Sequence, residues 1–332
     1  MQFFLRPGLL FTNATRAAKS LGGLLHFFPS GVAATTPRPR HGSFRRQPAS
    51  AAMEALEPRS MMAVVAALAP LPVESFDGTG NNIANLQWGS TDEQLLRKSP
   101  VAYADGIAIP AGADRPSARL VSNLLAASPA GGITNDREFT AMEYAWGQFL
   151  DHDLGLTTTG SPRESFPITV PSGDPAFDPA GTGAMTISMS RSTFDPATGI
   201  STPRQQLNSV TAFIDGSQIY GVDAQRSAAL REHIGGRMLE SAGGLLPFNT
   251  TGLANANDAH VVADSKLFLA GDVRANENPE LLALQTLFVR EHNRIATTAA
   301  LKNPTWSDEQ LFQHARRIVI AELQQILSLI HI

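Results

Sequence analysis

The feature that most constrains this chain is a helical stretch whose apolar face ends in a cluster of polar groups. Between residues 135 and 156, Phe139, Met142, Ala145, Trp146, Phe149 and Leu150 recur at the spacing of an amphipathic helix. Asn135, with Glu138 three residues later, reads as a capping-box start. Near the other end, spacings of three and four put Gln148, Asp151 and His152 on one face, with Asp153 pointing elsewhere. A carboxylate, an imidazole and an amide are expensive to bury unpartnered, so that face calls for a cofactor, a metal or a wet pocket. A solvated helix end accounts for the Asp-His-Asp triplet taken alone equally well.

The rest of the chain alternates loops and helices. Residues 75–116 are rich in Gly, Asn, Asp and Pro and read as extended, turn-filled chain. Residues 161–203 are loop-rich again, with short strands at most. Asp223 caps a helix over Ala224–Ile234 that stops at Gly235-Gly236, and Asn278-Pro279 open another running to about Ala300. Ser307 opens the last, with Leu311, Phe312, Ala315, Ile318, Val319 and Leu323 on its buried face. The fold class is mostly α with long loops.

Composition narrows the chemistry. The 332 residues, 43% of them hydrophobic, suffice for one large core, and the absence of cysteine excludes disulfides, iron–sulfur clusters and thiol nucleophiles. A net charge of −4 argues against nucleic acid as a partner. Residues 1–53 hold seven Lys/Arg and no acid, leaving 19 basic against 30 acidic residues beyond them. Residues 1–69 are therefore read as a leader outside the fold. Its apolar run, Met61–Ala69, is far shorter than the ~20 residues of a membrane span and ends in a small-x-small cleavage pattern. The preceding Leu56-Glu57-Pro58-Arg59 resembles an export motif of large extracellular bacterial proteins, so the chain is expected to be secreted, with no transmembrane anchor.

Two further clusters stand out. In Gly271-Asp272-Val273-Arg274-Ala275-Asn276-Glu277, Arg274 and Glu277 lie at the mouth of the helix capped by Asn278, either as pocket groups or as a surface ion pair. In Thr211-Ala212-Phe213-Ile214-Asp215-Gly216-Ser217, oxygen-bearing side chains at alternate positions suit a hard cation, though a Thr/Ser-decorated strand has the same spacing.

Together these clusters resemble the animal-type haem peroxidases of the peroxidase–cyclooxygenase superfamily, in a bacterial form. The likeness runs from about Ser75 to Ile326. It includes Ser75-Phe76-Asp77-Gly78-Thr79-Gly80, Gly147-Gln148-Phe149-Leu150-Asp151-His152-Asp153, Pro203-Arg204-Gln205-Gln206 and Arg290-Glu291-His292-Asn293-Arg294. The resemblance implies a haem b cofactor, hydrogen peroxide as oxidant and a small donor or halide as reductant. It makes His152 the distal base, Arg274 the distal arginine and Gln148 the distal glutamine. Asp151 and Glu277 match carboxylates that form ester links to haem. Asp153, Thr211, Phe213 (by its carbonyl), Asp215 and Ser217 match a calcium site. A calcium-binding extracellular domain of the same fold without redox activity is the competing expectation.

Two residues depart from the family. Asn278 stands where one member has a methionine linked to haem, and Gln285 stands where relatives commonly have His. His292, within a matching motif, reads as structural. The resemblance also implies that residues 70–326 are the distal half of the domain, with the proximal haem ligand beyond it. Residues 327–332 read as a non-native tail. On that expectation the chain alone is inactive, and apolar groups around Leu287, Phe288, Ile318 and Val319 are left uncovered.

Overall fold

The computed structural model describes residues 73–128, 132–257 and 260–330; the leader expected over residues 1–69 lies outside them. Helices dominate: α1 (Ala118–Leu125), α2 (Met142–Leu154), α3 (Ser217–Tyr220), α4 (Ala224–Ala229), α5 (Pro279–Lys302) and α6 (Asp308–Ile330). Four two-residue strands pair antiparallel, β1 (Glu93–Gln94) with β4 (Leu207–Asn208) and β2 (Ile168–Thr169) with β3 (Thr186–Ile187). The expected mostly α fold with long loops and short strands is what the chain adopts.

Local capping sets the long helices. The Asn278 side chain accepts from the Leu281 N–H at 2.7 Å with Pro279 in the first turn, and α5 runs to Lys302. Ser307 and Gln310 form a reciprocal capping box, Ser307 Oγ accepting from Gln310 N–H at 3.2 Å and Gln310 Oε1 from Ser307 N–H at 2.8 Å. The α6 helix continues through Ile330, with Leu327 packed on the core.

Two expected boundaries move. The helix expected from Asn135 begins at Met142, because Asn135 Oδ1 accepts from the Arg137 and Phe139 N–H groups and Glu138 has φ +55°. A left-handed residue cannot continue a helix, so this segment is a turn and Phe139 and Met142 remain exposed. The helix after Asp223 ends at Ala229 rather than Ile234. Arg231 instead bridges to Met238, and His233 is left-handed at φ +57°.

The core forms where α2, α3, α5 and α6 meet. Phe149 of α2 stacks on Phe288 of α5 at 5.3 Å between ring centres, and Trp146 tilts onto both. Tyr220 of α3 meets Phe312 of α6 edge-on, and His292 is pinned between them by Tyr220 Oη at 3.0 Å and the Gly236 carbonyl at 2.8 Å. His292 is thus structural, as expected. The expectation of uncovered apolar groups holds at Leu287, which is exposed, and is corrected at the other three: Phe288 is buried against Trp146 and Phe149 of α2, and on α6, which packs on α5, Val319 is buried and Ile318 half-buried.

Candidate functional site

The site is built on the last turn of α2. His152 is 3% exposed, and burial pushes its pKa down to about 4, so the ring is neutral near pH 7. Its Nδ1 has no hydrogen-bond partner and lies 3.7 Å from Asp272 Oδ1; its Nε2 lies 3.9 Å from Glu277 Oε2. A carboxylate thus lies near each ring nitrogen, Asp272 on the Nδ1 side and Glu277 on the Nε2 side, neither within hydrogen-bond distance.

Arg274 closes the end of the same helix. Its Nη1 donates to the Gly155 carbonyl at 2.9 Å and its Nη2 to the His152 carbonyl at 3.2 Å, positive charge meeting the carbonyl end of α2. Asp272 holds the guanidinium from below, accepting from Nε at 2.9 Å and from Nη2 at 2.7 Å. Buried Asp272 therefore touches Arg274 and neighbours His152. The sequence reading passed over Asp272; its only local signal is an acid two residues before the arginine.

Gln148 joins the two segments. Its Nε2 donates to Glu277 Oε2 at 2.9 Å, and its Oε1 accepts from Asn278 Nδ2 at 2.8 Å. Asn278 thereby caps α5 and orients Gln148 at once. Burial pushes the Glu277 carboxyl up from its ordinary range, although a third of the side chain remains exposed. His152, Arg274, Gln148 and Glu277 are brought together. Asp151 is not part of this hydrogen-bonded cluster; it is exposed one position along the helix.

Asp153 turns the other way, into the core. Its Oδ2 accepts from the Asp215 and Gly216 N–H groups, both at 3.1 Å, and its Oδ1 from Ser217 Oγ at 2.7 Å. Thr211 Oγ1 donates to Asp215 Oδ2 at 3.0 Å. Both carboxylates are buried. Burial raises the pKa of each, and the neighbouring Asp153 charge adds to the effect at Asp215, taking it to about 7. Thr211, Asp215, Ser217 and Asp153 thus converge, while Phe213 presses its ring against Gly89 and its carbonyl is outside the cluster's hydrogen bonds. No group of three or more His, Cys, Asp or Glu converges as a metal site among the described residues, so the donors are two carboxylates with hydroxyls.

Two close approaches fix these loops. Asn208 of β4 brackets the end of α2, donating to the Leu154 carbonyl at 3.0 Å and accepting from Leu156 N–H at 2.9 Å. A Cβ on Gly271 would lie 2.5 Å from the Ser217 carbonyl oxygen and the Ile219 carbonyl carbon, so only glycine lets the Asp272 loop reach α3. Gln285 is fully buried in α5, with both amide atoms unpartnered.

The animal haem peroxidase profile matches residues 73–328. A dual oxidase from Drosophila melanogaster is 36% identical over 263 residues, covering 76% of this chain. The chain belongs to the animal haem peroxidase family. A peroxidase from Drosophila melanogaster is 35% identical over 284 residues, again covering 76% of this chain. The solved structure of peroxidase A from Dictyostelium discoideum superposes with a TM-score of 0.69 at 32% identity, over 77% of this chain. The chain spans 17% of the dual oxidase, 40% of the fly peroxidase and 52% of the Dictyostelium peroxidase. A fatty acid α-dioxygenase from Arabidopsis thaliana, 21% identical with a TM-score of 0.59, shares the fold.

Proposed function

We propose that this chain carries the peroxide-handling side of a haem peroxidase that reduces hydrogen peroxide and oxidises a small donor or halide. The observation that carries the reading is the buried His152, its Nδ1 orphaned and its Nε2 turned towards Glu277, on a helix whose end is closed by Arg274. A buried neutral imidazole whose Nε2 is engaged in no hydrogen bond is available there as a proton shuttle. Haem b fits this face: Gln148 holds the partly exposed Glu277 carboxyl against the histidine, and Asp151 is free at the surface of the same helix.

When bound, haem supplies the iron that binds peroxide and accepts its oxidising equivalents. With haem held there, His152 Nε2 would be the atom that takes a proton from hydrogen peroxide and gives it back to the departing water. Asp272 keeps the Nδ1 side of the ring negative and holds Arg274 in place. Arg274 supplies a fixed positive charge beside the histidine, favouring charge separation across the O–O bond. Gln148 orients Glu277 and offers an amide to water or a halide. Glu277 and Asp151 are the carboxylates available for ester links to the cofactor.

Calcium is proposed between Asp153 and Asp215. Two buried carboxylates with raised pKa values, flanked by Thr211 and Ser217 hydroxyls, form an oxygen set that a divalent cation neutralises. The Phe213 carbonyl completes the proposed set. Residues 70–326 are read as the peroxidase portion. Export is proposed from the leader, residues 1–69; among the described residues no helix is long and apolar enough to cross a membrane.

The test is stopped-flow reaction with hydrogen peroxide in the full-length protein. His152→Ala and Arg274→Ala are expected to retain haem and to slow the reaction with hydrogen peroxide by ~10²–10⁴-fold. Parent-like rates in both variants would refute the roles. A calcium-binding domain without redox activity would instead show no Soret band.

A further inference from the structure

We infer that the loop-built region away from α2 carries a second site, for a small organic anion: an oxyanion head on an apolar body. Segments 97–115 and 166–206 line an open groove of about 450 Å³, within the size range of small-molecule sites. Four guanidinium groups line it, those of Arg97, Arg115, Arg191 and Arg204. One carboxylate, Glu164, answers two of them, at 3.4 Å from Arg191 Nη1 and 2.8 Å from Arg204 Nη1. Arg97 donates to the Arg204 carbonyl and to Gln206, and neither Arg97 nor Arg115 forms an ion pair among the described residues. The lining therefore holds more positive charge than the protein around it neutralises. Beyond residue 53 the chain is strongly acidic, so this is a local concentration against the overall balance.

The Arg204 guanidinium lies over the Phe194 ring, 4.1 Å from its centre, with Nη1 held by Glu164.

The walls give the body of the ligand. The guanidinium groups of Arg97 and Arg191 lie 5.6 and 6.0 Å from the centre of the Tyr103 ring, whose hydroxyl accepts from Gln206 Nε2 at 3.0 Å. This platform is held rigid, and Phe166 and Met189 add apolar surface. Arg115 is folded back by a special turn: Gly112 has φ +91°, and a Cβ there would lie 2.6 Å from Arg115 Cδ. Arginines stacked on an aromatic floor, with apolar sides, match a carboxylate or sulfonate on a ring better than a bare inorganic ion.

The probe is benzoate, titrated into the protein by calorimetry, with benzamide as its uncharged counterpart and inorganic phosphate as the bare anion. Benzoate is expected to bind, to weaken as salt is raised, and to weaken at least tenfold in Arg97→Gln/Arg115→Gln. Both arginines are exposed, so the fold should survive, and a matching melting curve confirms it. If the double variant melts lower, Arg115→Gln alone, which removes no side-chain hydrogen bond, should still weaken binding severalfold. His152→Ala should leave benzoate binding unchanged, which separates this site from the peroxidase reading. Absent binding, equal binding of benzamide, or binding insensitive to these arginines would overturn the proposal. Phosphate binding as tightly as benzoate would overturn the apolar body.

Discussion

At the scale of single residues, Asp272 connects the groups assigned to peroxide chemistry. It holds Arg274 through three hydrogen bonds, one from its backbone N–H and two from its guanidinium, and faces the unpartnered Nδ1 of His152. Asp272→Asn keeps the shape but removes the charge from both neighbours. Charge-assisted hydrogen bonds are worth ~1.5–3 kcal/mol, so the peroxide reaction should slow by roughly 10–100-fold, with haem content retained. A stopped-flow rate equal to the parent's would remove Asp272 from the mechanism. Asn278 has a comparable double role, and its Nδ2 is what keeps the Gln148 amide turned towards Glu277.

At the scale of elements, the end of α2 is held from two sides. The 211–217 loop takes Asp153, and the 271–277 loop takes the carbonyls of His152 and Gly155. These loops meet at Gly271, packed on the α3 backbone, and at the Asp272 N–H, which donates to the Gln218 carbonyl at 3.0 Å. Gly271→Ala must push backbone apart. It should cost about 1–3 kcal/mol in urea unfolding, and an unchanged midpoint would show that the contact is slack. The cation reading separates two outcomes at Asp215. If calcium binds there, Asp215→Asn and EDTA both lower the melting temperature. If no cation binds, Asp215→Asn relieves repulsion between buried carboxylates and the melting temperature holds or rises.

For the whole molecule, acid sensitivity follows from two buried histidines. Burial pushes His292 and His152 each down to about 4 from an ordinary 6.5. A histidine kept neutral in the fold but free to protonate when unfolded stabilises the native state above pH 6.5. That contribution is lost as pH falls towards 4. For His292 it amounts to ~3 kcal/mol, enough to matter against a marginal total stability. The melting temperature, taken with calcium present so that Asp153 and Asp215 stay ionised, should fall steadily between pH 6.5 and 4. A flat profile would show that these rings are not held neutral.

Read by itself, the sequence determined whatever is written in local order. Asn278-Pro279 and the Ser307/Gln310 pair cap their helices through contacts three residues apart, so α5 and α6 were legible. The polar cluster of α2 and the family motifs likewise pointed to His152, Arg274, Gln148 and Glu277. The Asn135–Glu138 signature is local too, but it made a turn and not a helix start, because Asn135 satisfied its own downstream backbone. Tertiary structure decided the rest. Asp151 and Asp153 flank the same histidine with the same chemistry, yet one faces outwards and the other is buried. What separates them is the backbone of Asp215 and Gly216, sixty residues away, whose N–H groups reach Asp153 and not Asp151. The roles of Asp272, Asn208 and Gly271 depend on segments distant in sequence. Their partners are chosen by packing, and helical period and capping carry no record of that choice.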